Sequence, residues 1–225
     1  MATINQLVSE IAHSIKQADN VAARKSIKLG IIHARNTLIR QSYEHHNYID
    51  KGLQQRFKIE LIDVPDGDLY QTSEIINDVI KRSKNKVPKP VRLTNNLPFH
   101  SIRTIGVENP IEIPYVKEAS SKFYAYLPGI CKHITYDYIN GYIYINVLND
   151  TQFANIENII IESAFEYPTE ISIETNEDII KYIDDNDEFL ISEDMIDGIK
   201  KLVLETFNPQ ISRDTNEPNP INLVK

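Results

Sequence analysis

The hydrophobic period of this chain changes twice, and that constrains its fold more than any other feature. From Ile4 to about Arg40 the apolar residues recur at three-to-four-residue spacing. Beyond Gly52 they alternate every second residue, and from Pro168 onward the helical spacing returns. A helix buries one stripe of side chains and a strand buries alternate ones, so the pattern calls for an α+β protein in which an antiparallel β region is inserted into a helical frame.

The helical segments carry their own boundary signals. Thr3 stands as an N-cap before Ile4, Leu7, Val8, Ile11 and Ile15, which line one face of a short helix. Asp19 is placed to cap a second helix of about six turns, estimated from the spacing of Ala22, Ile27, Ile31, Ala34, Leu38 and Ile39. That helix is basic and amphipathic, with Arg24, Lys25, Lys28, Arg35 and Arg40 between its apolar positions and no Pro to interrupt it. Gly30 inside it costs about 1 kcal/mol relative to Ala, which points to a close packing contact. A further acidic helix is expected over residues 168–184, with Ile171, Ile179, Ile180 and Ile183 on one face. The last helix follows Ser192 over Ile196, Ile199, Leu202, Val203 and Phe207.

In the middle of the chain, Phe57, Ile59 and Leu61 alternate with Lys58 and Glu60 and run into a Pro65-Asp66-Gly67-Asp68 turn. Ser73 can cap a short helix over Ile75, Ile76, Val79 and Ile80. The basic segment 81–90 contains Pro88 and Pro90, which oppose a helix or a central strand, so an exposed, extended arm is expected. The strongest local signal is Asn140-Gly141 between Thr135-Tyr136-Asp137-Tyr138-Ile139 and Tyr142-Ile143-Tyr144-Ile145, a type I′ hairpin in which both turn residues need positive φ. Residues 156–161 add another strand. The resulting division is a helical pair over 1–52, a β-rich region over 53–165 with the basic arm 81–90, acidic helices over 166–207, and an extended tail over 208–225.

Composition excludes several function classes. With 225 residues, 41% apolar and 25% charged, the chain can bury a core without staples. No stretch approaches the roughly 20 apolar residues of a membrane span, and the start MATINQLVSE lacks a signal-peptide layout, so neither membrane insertion nor secretion is expected. Cys131 is the single cysteine. Only 7 glycines are present, with no G-x-G-x-x-G, Walker-type loop, G-x-S-x-G or H-E-x-x-H, so neither nucleotide nor zinc-protease chemistry is indicated. His45-His46 reads as a polar helix end and the run Asp184–Glu188 as a solvated loop, since neither has metal-ligand spacing. No catalytic, metal or cofactor-binding residues are expected, and no cofactor.

What remains is contact chemistry. Residues 1–103 hold 16 Lys/Arg against 10 Asp/Glu, whereas residues 104–225 hold 8 against 22. Opposite fields of this kind suit either a charged partner or head-to-tail association. Seven of the twelve tyrosines fall between Tyr115 and Tyr144. The faces carrying Tyr136 with Tyr138 and Tyr142 with Tyr144 lack interleaved Lys or Arg, which favours a protein interface over single-strand stacking.

The order of pieces adds a resemblance. The stretches Arg82-Ser83-x-x-x-x-Pro88-Lys89-Pro90 and Phe165-Glu166-x-Pro168, the Tyr-Ile-Asn-Gly-Tyr-Ile-Tyr-Ile hairpin, the acidic linker and the Pro/Asn tail together resemble neck or head-to-tail connector ring proteins of crAss-like podoviruses. More distantly they resemble the podovirus adaptors. The resemblance implies an adaptor-like helical frame with an extended C-terminal arm. It also implies a non-enzymatic virion protein, made in the host cytoplasm and located at the portal vertex. Copies would form a twelvefold ring docked on the portal or on adjacent neck or tail rings, with genomic DNA passing through the lumen without sequence-specific contacts. In such a ring Arg24, Lys28 and Arg35 would meet Asp184, Asp185, Asp187 and Glu188 of the next copy. Lys84, Lys86 and Lys89 of the arm, the four hairpin tyrosines, and Pro209 and Pro218 of the tail complete the expected interface. The alternatives are a non-specific DNA-binding protein using the basic first half or, behind it, a metal-dependent nuclease using carboxylates such as Glu60 and Asp63.

Overall fold

The structure is a computed structural model. It describes residues 2–65, 67–68, 79–105, 110–117, 134–147, 153, 155–170, 172–174, 180–182 and 184–207. Among the described residues, three α-helices and a curled six-stranded antiparallel sheet make it a mixed α+β protein. The chain divides into two compact units, Met1–Leu38 with Asp185–Lys225, and Ile39–Asp184.

The first unit is helical. α1 (Ile4–Ser14) starts with a capping box: the Gln6 N–H donates to Thr3 Oγ1 at 3.1 Å and the Thr3 N–H donates to Gln6 Oε1 at 3.0 Å. Its buried face is Ile4, Leu7, Val8, Ile11 and Ala12. α2 (Val21–His46) extends about a turn beyond the expected length, and Asn20 caps it rather than Asp19, its Oδ1 accepting from the N–H groups of Ala22 and Ala23. Only the residue immediately before the first helical position can reach those two orphan donors. α3 (Glu193–Phe207) buries Met195, Ile199 and Val203. Gly30 of α2 faces α3, where a Cβ would stand 3.5 Å from Val203 and 3.7 Å from Phe207. The missing side chain is the space in which the two helices touch.

The second unit is built on β1 (Gln55–Asp63), β2 (Val79–Ser83), β3 (Ser101–Thr104), β4 (Ile134–Ile139), β5 (Tyr142–Val147) and β6 (Asn158–Ser163), in the order β3-β6-β1-β2-β5-β4. The β4–β5 hairpin turns at Asn140 (φ 53) and Gly141 (φ 86). Residues 111–116 join the two sheet edges. Their first half bonds to β3, with Ile113 N–H donating to Ile102 O at 2.8 Å. Their second half bonds to β4, with Val116 N–H donating to Tyr136 O at 2.9 Å. One short segment thereby closes the sheet on itself and occupies both exposed edges. Inside lies a core that includes Ile59, Leu61, Phe99, Ile102, Ile145, Ile159, Ile161 and Phe165.

Three local expectations need correcting. The basic segment does not begin as a free arm: Lys81, Arg82 and Ser83 lie in β2, in the middle of the sheet between β1 and β5. Beyond them the chain is extended but held, with Val87 N–H donating to Gly141 O, Val91 N–H to Ala164 O, and both valines buried. The prolines fall between these anchored positions, where no ladder donor is required. Val79 and Ile80, expected in a short helix, also belong to β2, while the rest of that helix lies outside the described residues. Nor does a helix run through 168–184. Pro168–Glu170 is a single 3-10 turn, and β7 (Ser172–Glu174) pairs antiparallel with β8 (Ile180–Tyr182). Thr169, Ile171, Ile173 and Thr175 are β-branched and alternate with polar residues, a pattern better suited to a strand than to a helix.

Candidate assembly interface

In the helical unit, one of the charge pairs expected between copies forms within the chain. Lys28 Nζ is 2.6 Å from Asp185 Oδ2, both side chains about one-third exposed. Arg35 is fully buried, its Nε–H donating to the Leu190 carbonyl at 2.7 Å and its guanidinium 5.8 Å from the Phe189 ring. Burial pulls its pKa down to about 10, so the side chain keeps its charge at neutral pH. As a fully buried group, Arg35 is a framework residue of its own unit, and an intersubunit contact would have to reach past its neighbours. Arg24 donates to Ser9 Oγ at 3.0 Å.

The acidic run is not a free loop but a strap on the start of α1. The Asn5 N–H, one of the helix's orphan donors, bonds to the Asp185 carbonyl at 3.2 Å. The Asn5 amide donates to Asn186 Oδ1 at 2.7 Å, and Glu188 bridges Thr3. Asp187 sits in the same strap, partly buried, next to the exposed Glu188. Carboxylates here complement the positive end of the α1 dipole. Asp184, exposed, is the last residue of the β unit.

In the β unit the hairpin tyrosines divide by depth. Tyr136 is 3% exposed and belongs to the core. Tyr144 is 4% exposed, on the opposite face of the sheet. Burial raises the phenols of both above their ordinary range. Tyr138 is half-buried, edge-on to Phe99 at 5.0 Å, and Tyr142 is half-buried under the Arg82 guanidinium, 4.4 Å from its ring centroid. Of the four, only Tyr138 and Tyr142 keep surface for a partner. The arm lysines are likewise engaged: Lys84 with Glu60 at 2.7 Å, Lys89 with Glu166 at 3.3 Å, and Lys86 near the Tyr142 ring at 5.9 Å. Pro209 and Pro218 lie outside the described residues.

One cluster escaped the sequence. Arg82 Nη1 is 2.6 Å from Asp68 Oδ2, and the Tyr144 hydroxyl donates to the same carboxylate at 3.1 Å, with Tyr142 stacked on the arginine. Only the pairing Arg82↔Tyr144 between β2 and β5 assembles it, and no local spacing announces a partner some sixty residues away. It ties the turn after β1 to the outer face of the hairpin.

Among the described residues no three His, Cys, Asp or Glu side chains are grouped to hold a metal ion, and no helix is long and apolar enough to cross a membrane. Two units built around buried contacts, with salt bridges and stacked rings at their surfaces, offer surfaces for assembly. A protein-family model described as phage tail ring protein 2 matches residues 6–222.

The chain belongs to that ring protein family of crAss-like phages.

No curated protein matches it. The ring protein is therefore a structural component of the virion tail, and its family points to oligomeric assembly with other tail components rather than to catalysis. The match takes in both units and most of the Pro/Asn tail, so the β insertion belongs to what defines the family.

Proposed function

We propose that the protein assembles into a cyclic ring of twelve copies in the head-to-tail connector, docked on the portal or on an adjacent neck ring, with DNA running through its lumen during packaging, retention and ejection. The family match over residues 6–222 carries this reading. A ring needs heterologous contacts, in which one surface of a copy meets a different surface of the next. An adaptor-like frame of α1, α2 and α3 would supply rigid surfaces for that contact, and the tail 208–225 would lie along a neighbour as an arm.

Charge supports a channel in which DNA slides without being captured by phosphate contacts. Residues 1–38 with 185–225 carry 9 Lys/Arg against 11 Asp/Glu, and residues 39–184 carry 15 against 21, so neither unit presents a net cationic body. A channel without excess cations lets phosphates slide, whereas Lys and Arg contacts would hold them. Mass photometry and negative-stain imaging of the purified chain, alone and with portal, should reveal closed rings or a portal complex. A chain that stays monomeric and binds no portal would overturn the proposal.

A further inference from the structure

The internal pairing of Lys28, Arg24 and Arg35 leaves one stripe of α2 unused. Val21, Lys25 and Leu29 follow one another at four-residue steps on its outer face, with Val21 66% and Leu29 51% exposed and Lys25 exposed. From Asn20 to Tyr43 the sequence has no Asp or Glu, so this face carries no anion. On α3 a second outer stripe has the opposite sign at the same spacing: Glu193, Asp197 and Glu205 are exposed, with Lys201 the one cation between them. Among the described residues Lys25, Glu193, Asp197 and Glu205 have no ion pair of their own, whereas Lys200, one position inward, is occupied by Glu10 at 2.7 Å.

We infer that the Val21–Lys25–Leu29 stripe of one copy packs against the Glu193–Asp197–Glu205 stripe of the next. The occupant is a second copy because both halves of the complement belong to this chain and lie on different helices of one unit, which is the heterologous geometry that closes a ring. Rows of side chains at four-residue steps form the ridges that interlock when two helices cross. Leu29 supplies the apolar anchor, while Lys25 opposite Asp197 sets register and direction. The inference rests on the ring reading above and adds the surface through which the ring is made.

The test uses the purified full-length chain and four variants, Leu29→Asp, Lys25→Glu, Asp197→Lys and the double Lys25→Glu/Asp197→Lys, each checked for wild-type circular dichroism and melting. Mass photometry across a concentration series at low salt reads assembly. The three single variants should each raise the concentration for half-assembly about tenfold or more, because an attraction repeated at every interface becomes a repulsion or a buried charge. The double variant, and an equimolar mixture of Lys25→Glu with Asp197→Lys, should assemble near wild-type concentrations. Folded single variants that assemble like the wild type, or a double variant that shows the summed losses, would overturn this interface and leave the ring reading standing. A wild-type chain that never self-associates, alone or with portal, and binds no portal would overturn both.

Discussion

Arg35 shows how a single residue changes meaning between sequence and structure. Along the helix it is one of five cations; in the fold it is sealed inside and holds the Leu190 carbonyl. Replacing it with Ala removes a charge-assisted hydrogen bond and opens a cavity, which should cost about 3 kcal/mol in urea denaturation. The buried tyrosines make a prediction of the opposite kind, confined to alkaline pH. Burial raises the Tyr136 phenol well above its ordinary value of 10.0, and Tyr115, Tyr138 and Tyr144 are raised as well. Groups whose folded pKa is raised contribute stability that is fully present below the unfolded value and is lost as pH rises past it. Stability should therefore show no slope from these phenols below about pH 9 and should fall above about pH 10. Tyr136→Phe should be less sensitive to that rise, as read from urea midpoints at the two pH values.

At the level of elements, the β4–β5 hairpin and the two ends of the helical frame were legible because local chemistry decides them. Asn-Gly fixes a turn, and Thr3 with Gln6 fixes a helix start, whatever the rest of the chain does. Gly141→Ala should destabilise by about 1–2 kcal/mol, since φ 86 penalises any Cβ even though the nearest atoms, those of Lys86, are no closer than 3.7 Å. The placement of β2 was not legible. Val79 to Ser83 has neither a clean alternation nor a turn of its own, and only its pairing with β1 and β5 makes it a central strand. Nor does the spacing of residues 111–116, with Pro114 among them, announce their role in joining two edges. The two edges they close exist only once six strands have been ordered. The pair β7–β8 was misread for another reason: isoleucines spaced at both helical and strand intervals leave the period ambiguous.

Across the whole molecule, the partition into units predicts how the chain comes apart. Residues 39–184 are continuous and carry their own core, so that fragment alone should fold, with the circular dichroism of a β protein. The helical unit is assembled from both ends of the chain. Deleting 185–225 removes α3, which packs on Gly30, and the strap on α1, and should leave α1 and residues 21–38 of α2 unfolded while the β unit persists. The distribution of charge also changes at this scale. The excess of cations in the first half and of anions in the second becomes, after folding, a helical unit with nearly balanced charge. The pair Lys28–Asp185 is about one-third exposed and worth at most about 1 kcal/mol, so its loss should perturb the unit only slightly.

The sequence alone determined which segments are helices and strands where caps, period and turn chemistry agreed, the hairpin register, the absence of familiar catalytic motifs, and the resemblance that the family match then established. Tertiary structure decided which charges meet, which tyrosines are buried and where the edge strands close. The physical reason is one of range. Caps and turns are settled within a few residues, whereas Lys28 could satisfy the same carboxylate from its own chain or from a neighbour. A tethered Asp185 presents itself at a far higher effective concentration than a free copy does. Only what folding leaves unpaired, such as Lys25 on α2 and Asp197 on α3, remains available to the next molecule.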